Sequence, residues 1–155
     1  MTERDRYEAA LQEYKELEAN IRHSTENSMK TKNWSITIGL AAIIAALTQK
    51  QPVILLLSPI AALLFLAMDA RWRAYMVCFI ERQKEIERYF LGEVNQYIGP
   101  QINRSFERNL NRMKKNLTAW SIARNSSIHI PHSLVIFVAL STYTLTSWGI
   151  IVFPQ

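Results

Sequence analysis

The stretch that decides the fold is WSITIGLAAIIAALTQ, residues 34–49, followed after Lys50 and Gln51 by PVILLLSPIAALLFLAM, residues 52–68. Neither run holds a charged side chain. A helix of roughly 17–25 apolar residues crosses the hydrocarbon core of a bilayer. An isolated apolar run in lipid satisfies its own backbone only as a helix. The two runs therefore predict a transmembrane helical hairpin over residues 34–69. Trp34 and Trp72 stand at its cytoplasmic mouths, where indoles anchor in the headgroup zone. Ser35, Gly39, Ala41, Ala42, Ala45 and Ala46 give small-xxx-small spacing for close helix contact. Pro52 suits the first turn of the second span, and Pro59 falls inside that span as a kink.

Charge sets the orientation. Of eighteen Lys and Arg in 155 residues, eleven lie between Arg71 and Arg124; the hairpin turn carries Lys50 alone, and nothing beyond His132 is charged. The positive-inside rule places residues 1–33 and 70–132 in the cytoplasm and the turn at Lys50 outside. Glu3, Arg4, Asp5 and Arg6 do not read as a signal peptide, so the first span is expected to direct insertion.

The flanking segments read as amphipathic helices. Tyr7, Ala10, Tyr14, Leu17 and Ile21 form a heptad-like stripe on a helix over 3–30. Met68, Trp72, Tyr75, Met76, Phe79, Ile80, Ile86 and Phe90 line one face of a second, over 70–98, which Gly99-Pro100 ends. Ile102, Phe106, Leu110, Met113, Leu117 and Trp120 stripe a third over 101–129, broken near Ser126, Ser127 and Pro131. Each is about 29 residues and would reach roughly 43 Å. Residues 133–153 are uncharged and form a third span, which puts the C-terminus outside. The expected fold class is an all-α membrane protein. It comprises a cytoplasmic amphipathic helix (1–33), the transmembrane hairpin (34–69), a cytoplasmic helical hairpin forming an antiparallel stalk (70–132), and a third transmembrane helix (133–155).

Chemistry-bearing constellations are sparse. His23, His129, His132 and the lone Cys78 do not make a metal set, and no cofactor motif or glycine-rich phosphate loop occurs. Nothing indicates a Ser/His/Asp or Cys/His centre, so an enzyme is not expected. The one enzyme-like string is Arg124, Asn125 and His129, spaced as in HEPN ribonucleases; the competing reading makes Arg124 a positive-inside anchor. Arg104, Arg108, Arg112 and Lys115 form a basic face suited to anionic lipid headgroups, a cyclic nucleotide second messenger or RNA, or to simple solvation. Nucleic acid is not an expected partner. Ser141, Thr144 and Ser147 recur on the third span, as a pore or packing stripe or as hydroxyls bonded to their own helix. Asp69 sits at the hydrocarbon edge, paired with Arg73 or acting as a gate residue.

The layout, with MDARWRAYMVCFIERQKEIERYFLGEV at 68–94, resembles the SLATT superfamily, the SMODS- and SLOG-associating two-transmembrane effectors of bacterial conflict systems. In that family an Asp followed by aromatics closes the second span, then come a Glu-Arg pair and an aromatic near an acid. The matching positions are Asp69, Trp72 and Tyr75, then Glu81 and Arg82, then Tyr89, Phe90 and Glu93. The resemblance covers residues 5–95. It implies an antiphage effector of the bacterial inner membrane, similar to the RADAR accessory protein, that forms homo-oligomers. It also implies that the effector permeabilises the membrane when a cytoplasmic defence enzyme or second messenger triggers it. The alternatives are a non-conducting anchor for such an enzyme and, from the string at Arg124, a HEPN-like membrane-bound ribonuclease.

Overall fold

The computed structural model describes residues 2–116 and 126–148. Four α-helices and one 3₁₀ turn make up the described chain, with no strand among those residues. They are α1 (Glu3–Gln49), the 3₁₀ turn (Pro52–Leu56), α2 (Leu57–Phe90), α3 (Ile102–Asn116) and α4 (Ser126–Ser147). The helix ends follow from local chemistry. Thr2 and Asp5 cap α1 reciprocally: Thr2 Oγ1 accepts from the Asp5 N–H at 3.2 Å, and Asp5 Oδ2 accepts from the Thr2 N–H at 2.8 Å. Lys50, in the left-handed region at φ 56°, ends α1, and the Gln51 N–H bonds Ala46 O at 3.1 Å.

Several expected boundaries move. The second helix stops at Phe90, not 98. Gly92 takes φ 75°, its N–H bonds Tyr89 O at 3.1 Å, and the Glu93 N–H bonds Arg88 O at 2.9 Å. This is the double-bonded glycine terminus of a Schellman motif. Pro59 is not a mid-span kink: it lies in the first turn of α2, after the 3₁₀ turn, where no helical N–H is required. The break expected near Ser126, Ser127 and Pro131 is instead the start of α4, with Pro131 one turn inside it. The last apolar helix is thus displaced toward the N-terminus of its expected range. Leu117 and Trp120 of the third stripe, and residues 149–155, lie outside the described residues.

The chain divides into two compact units. The first holds residues 2–27 and 71–116. Its core is Ala10, Leu17, Ile86 and Tyr97, flanked by Tyr14, Phe79, Tyr89, Phe90 and Ile102. The stripes on α1 and α2 meet in reverse order: Tyr7 stacks on Phe90 at 5.3 Å, Glu13 pairs with Arg82, and His23 meets Trp72 at 6.3 Å. Phe106 of α3 packs on Phe79 at 5.1 Å and Tyr75 at 5.5 Å.

The second unit holds residues 28–70 and 126–148. Its buried side chains are small or polar: Thr31, Ser35, Ala46, Ser58, Ala62, Asp69, His132 and Ala139, with few larger ones such as Leu55. Its exposed side chains are large and apolar, Leu64 at 65% and Phe137 at 68% among them. Two described helices are long and apolar enough to cross a membrane: Pro52–Phe90, counting the 3₁₀ turn, and Ser127–Ser147. The run 34–49 is not one of them. It is shorter, and Lys32 and Asn33 before it and Thr48 and Gln49 at its end dilute its hydropathy.

Candidate functional site

Steps of four, three and four residues put Ser28, Lys32, Ser35 and Gly39 along one side of α1. Gly39 leaves room for a close approach: a Cβ there would stand 2.5 Å from Val135 Cγ1 and 3.2 Å from Ser58 Oγ. This approach brings the side chains of α1, α2 and α4 together around Asp69. The Ser28 hydroxyl donates to Asp69 Oδ1. Asp69 Oδ2 lies 3.6 Å from Lys32 Nζ and 3.6 Å from His132 Nε2. His132 Nδ1 sits 2.9 Å from Ser35 Oγ. Asp69 and His132 are fully buried, whereas the Lys32 side chain keeps 17% of its surface exposed.

The group is paired in charge but open in hydrogen bonding. Asp69 Oδ2, His132 Nε2 and Ser58 Oγ are buried without a hydrogen-bond partner. Two tautomers account for the Ser35 contact. If His132 Nδ1–H donates to Ser35, the Nε2 lone pair faces a carboxylate oxygen, two acceptors across a gap. If Ser35 donates, Nε2–H faces Oδ2 at 3.6 Å, beyond hydrogen-bond reach. Native interiors leave few polar atoms in this condition, and each such atom costs about 1–3 kcal/mol. At 3.6 Å, unit charges attract by about 4–5 kcal/mol at an effective dielectric of about 20. Distance therefore favours neither Lys32 nor a protonated His132 as the partner of Asp69.

The first unit provides the contrast. Glu13 accepts from Arg82 Nε at 3.0 Å, Arg82 Nη2 at 2.9 Å, the Gln101 N–H at 3.0 Å and Tyr97 Oη at 2.5 Å. Arg82 also donates to Glu85 at 2.9 Å and to Gly99 O at 3.2 Å. Burial pushes the Glu13 carboxyl up, but the hydrogen bonds from Arg82, Tyr97 and Gln101 outweigh it and hold the group below its usual value. Burial and the adjacent Glu13 carboxylate push the Tyr97 phenol up. This closed network fixes the fold, whereas the group around Asp69 is left with atoms to spare.

Ser35, His132 and Asp69 stand in the order of a hydrolase triad, yet the arrangement does not suit attack on a substrate. Ser35 is buried in mid-helix, and its hydroxyl is engaged by the imidazole. What the group suits is holding or moving a proton.

Around Asp69 the second unit brings residues that lie far away in the sequence. Arg73 lies in the first unit, with Nη1 4.0 Å from Met76 Sδ, while Ser28, Lys32 and His132 surround the carboxylate. Trp34 is exposed, and Trp72 packs edge-on to Tyr75 at 5.8 Å. Arg108 bonds Glu85 at 2.7 Å; Arg104 and Arg112 are exposed on the same helix, and the Lys115 side chain lies outside the described ones. Thr144 Oγ1 donates to Ser141 O at 2.9 Å, so that hydroxyl bonds its own helix; Thr144 and Ser147 are exposed. Arg124 and Asn125 lie outside the described residues, and His129 is on α4. Among the described residues no three His, Cys, Asp or Glu side chains converge as a metal set. Sequence reading did not place Ser28, Lys32, Ser35 or His132 beside Asp69. Their signals were the one-sided spacing on α1 and a histidine at the edge of an uncharged run.

The fold and site define an all-α protein with two helices able to cross a membrane and a polar group buried between helices. No family model, no curated protein and no solved structure matches the chain.

Proposed function

We propose that the chain is a multi-pass protein of the bacterial inner membrane, embedded through its second unit, with the first unit as a cytoplasmic antiparallel stalk. One observation carries this reading: the second unit is inverted relative to a soluble fold. Soluble domains bury large aliphatic side chains and keep carboxylates and imidazoles in water. Here Asp69 and His132 are inside, and Leu63, Leu64, Leu134 and Phe137 are outside. Only 28% and 22% of the two most apolar windows is buried, which does not fit core helices of a soluble domain. Lipid makes both halves of the pattern favourable: apolar groups face hydrocarbon, and small and polar groups glue helices together. The run 34–49, packed on the other two through Ser35 and Gly39, would complete a three-helix membrane domain. Recovery of the protein in the membrane fraction, released only by detergent, is expected. A monodisperse protein in plain buffer would refute it.

The role within the membrane rests on the resemblance to the SLATT effectors. We read the protein as a homo-oligomeric antiphage effector that permeabilises the membrane when a cytoplasmic partner or second messenger shifts the stalk. A signal opens such an assembly only by binding the open state more tightly than the closed one. The test is dye entry and depolarisation in phage-challenged cells. Protection with an intact membrane potential would favour the second reading, a non-conducting anchor. That reading draws on Leu91, Val94 and Ile98, exposed in the first unit.

A further inference from the structure

The group around Asp69 contains one more feature. A single buried carboxylate oxygen is equidistant from an ammonium and an imidazole nitrogen and hydrogen-bonded to neither. The two competitors differ in exposure: His132 is sealed, while Lys32 reaches the unit's surface. We infer that Asp69, His132 and Lys32 form a proton-exchange site, in which a proton taken up at His132 Nε2 replaces the Lys32 ammonium as the partner of Asp69.

The exchange balances. Before it, Asp69 is an anion, Lys32 a cation and His132 neutral, with Nδ1–H donated to Ser35. A proton from water then adds to the Nε2 lone pair. The new N–H closes toward Oδ2, and the Nδ1–H bond to Ser35 is kept. The Lys32 ammonium turns outward to solvent, as a long amphipathic side chain at an edge does readily. The net charge of the buried set is zero before and after. Retaining both cations beside one carboxylate would leave an uncompensated charge inside, which is costly. Ser28 remains on Oδ1 throughout.

Among the described residues, the charged and titratable partners within 4 Å of Asp69 are Lys32 and His132. Lys32 comes from α1, Asp69 from α2 and His132 from α4; the 3₁₀ turn carries no titratable side chain. Proton uptake thus changes which helix is tied to α2: α1 through Lys32 in one state, α4 through His132 in the other. The ligand is the proton, and the displaced group is part of the chain itself. The inference deepens the membrane reading, which it uses only for the low dielectric around the group.

The experiment is a pH titration of the intact protein in detergent micelles, with histidine labelled at Cε1 and the His132 resonance assigned by its loss in H132Q. Lys32→Met removes the competing cation. The proton affinity of His132 should then rise about tenfold, moving its titration up by about one pH unit. Asp69→Asn removes the acceptor and should move it down by a similar amount. Lys32→Arg keeps the cation and should stay near the native curve. An unmoved titration in Lys32→Met, or a fall, overturns the exchange. If Asp69→Asn fails to fold, Lys32→Met at the exposed edge decides alone, with helicity and elution volume as its controls. Protein that proves soluble without detergent is titrated in buffer by the same signal. The membrane reading then fails separately from this one.

Discussion

Gly39 marks a close approach within the second unit, and it admits a test whose sign reverses with background. A methyl group at Gly39 would meet Val135 Cγ1 at 2.5 Å, Ser58 Oγ at 3.2 Å and Val135 Cβ at 3.6 Å. Carbon atoms in contact sit about 3.5–4.0 Å apart, so the first neighbour must withdraw by about 1 Å. Val135 is β-branched and on a helix, with one strongly preferred rotamer, so the strain passes to the helices. Overpacking of this kind costs about 1–3 kcal/mol. Against it stands the better helix propensity of Ala over Gly, about 1 kcal/mol. Gly39→Ala is therefore expected to destabilise by up to about 2 kcal/mol. In a Val135→Ala background the clashing methyl is gone, and the same change should stabilise by up to about 1 kcal/mol. The assay is reversible unfolding in mixed micelles of a mild detergent and dodecyl sulfate, followed by helicity. Additivity of the two substitutions within about 0.5 kcal/mol would refute the contact.

Further outcomes follow from the first unit and the hairpin turn. Glu13→Gln leaves Arg82 buried beside an uncharged amide and should cost about 3 kcal/mol or more in thermal or denaturant unfolding. Glu8→Gln in the exposed Arg4–Glu8 pair should produce no measurable change. Because the Glu13 carboxyl titrates below its ordinary 4.5, its contribution is fully present above about pH 4.5 and lost as pH falls through the lowered value. An acid unfolding curve should show this arm, and Glu13→Gln should flatten it. Tyr97, pushed up from 10.0, contributes below that pH and loses its contribution as pH rises beyond it; Tyr97→Phe should remove the alkaline arm. Lys50→Gly relieves a left-handed backbone at a non-glycine residue and should stabilise by about 1 kcal/mol in the mixed-micelle assay.

The all-helical class and the apolar helices were legible because hydropathy and three-to-four-residue periodicity are local signals. Asp69 was legible too, since a carboxylate at the edge of an apolar run is conspicuous. Its partners were not. Reading along a single helix offers Arg73 one turn away, whereas Ser28 is 41 residues distant, and Lys32 and His132 arrive on other helices. Helix ends were displaced where a short-range device outweighed the stripe. Gly92 stopped α2 before the more obvious Gly99-Pro100, and Pro131 was absorbed near a helix start. The closed network at Glu13 was likewise invisible, because nothing in a heptad-like pattern marks one glutamate among many as buried.

That same glutamate has a consequence for how the chain is made. Its companions are Arg82, Tyr97 and Gln101, so the last of them is synthesised 88 residues after Glu13. Until Arg82 is made, 69 residues after Glu13, that carboxylate lacks the guanidinium that holds it in the finished network. The ribosome will have made both apolar runs, 34–49 and 52–68, before the first unit can close. Order of synthesis is thereby written into the molecule: the apolar runs are complete first, and the network at Glu13 locks only afterwards.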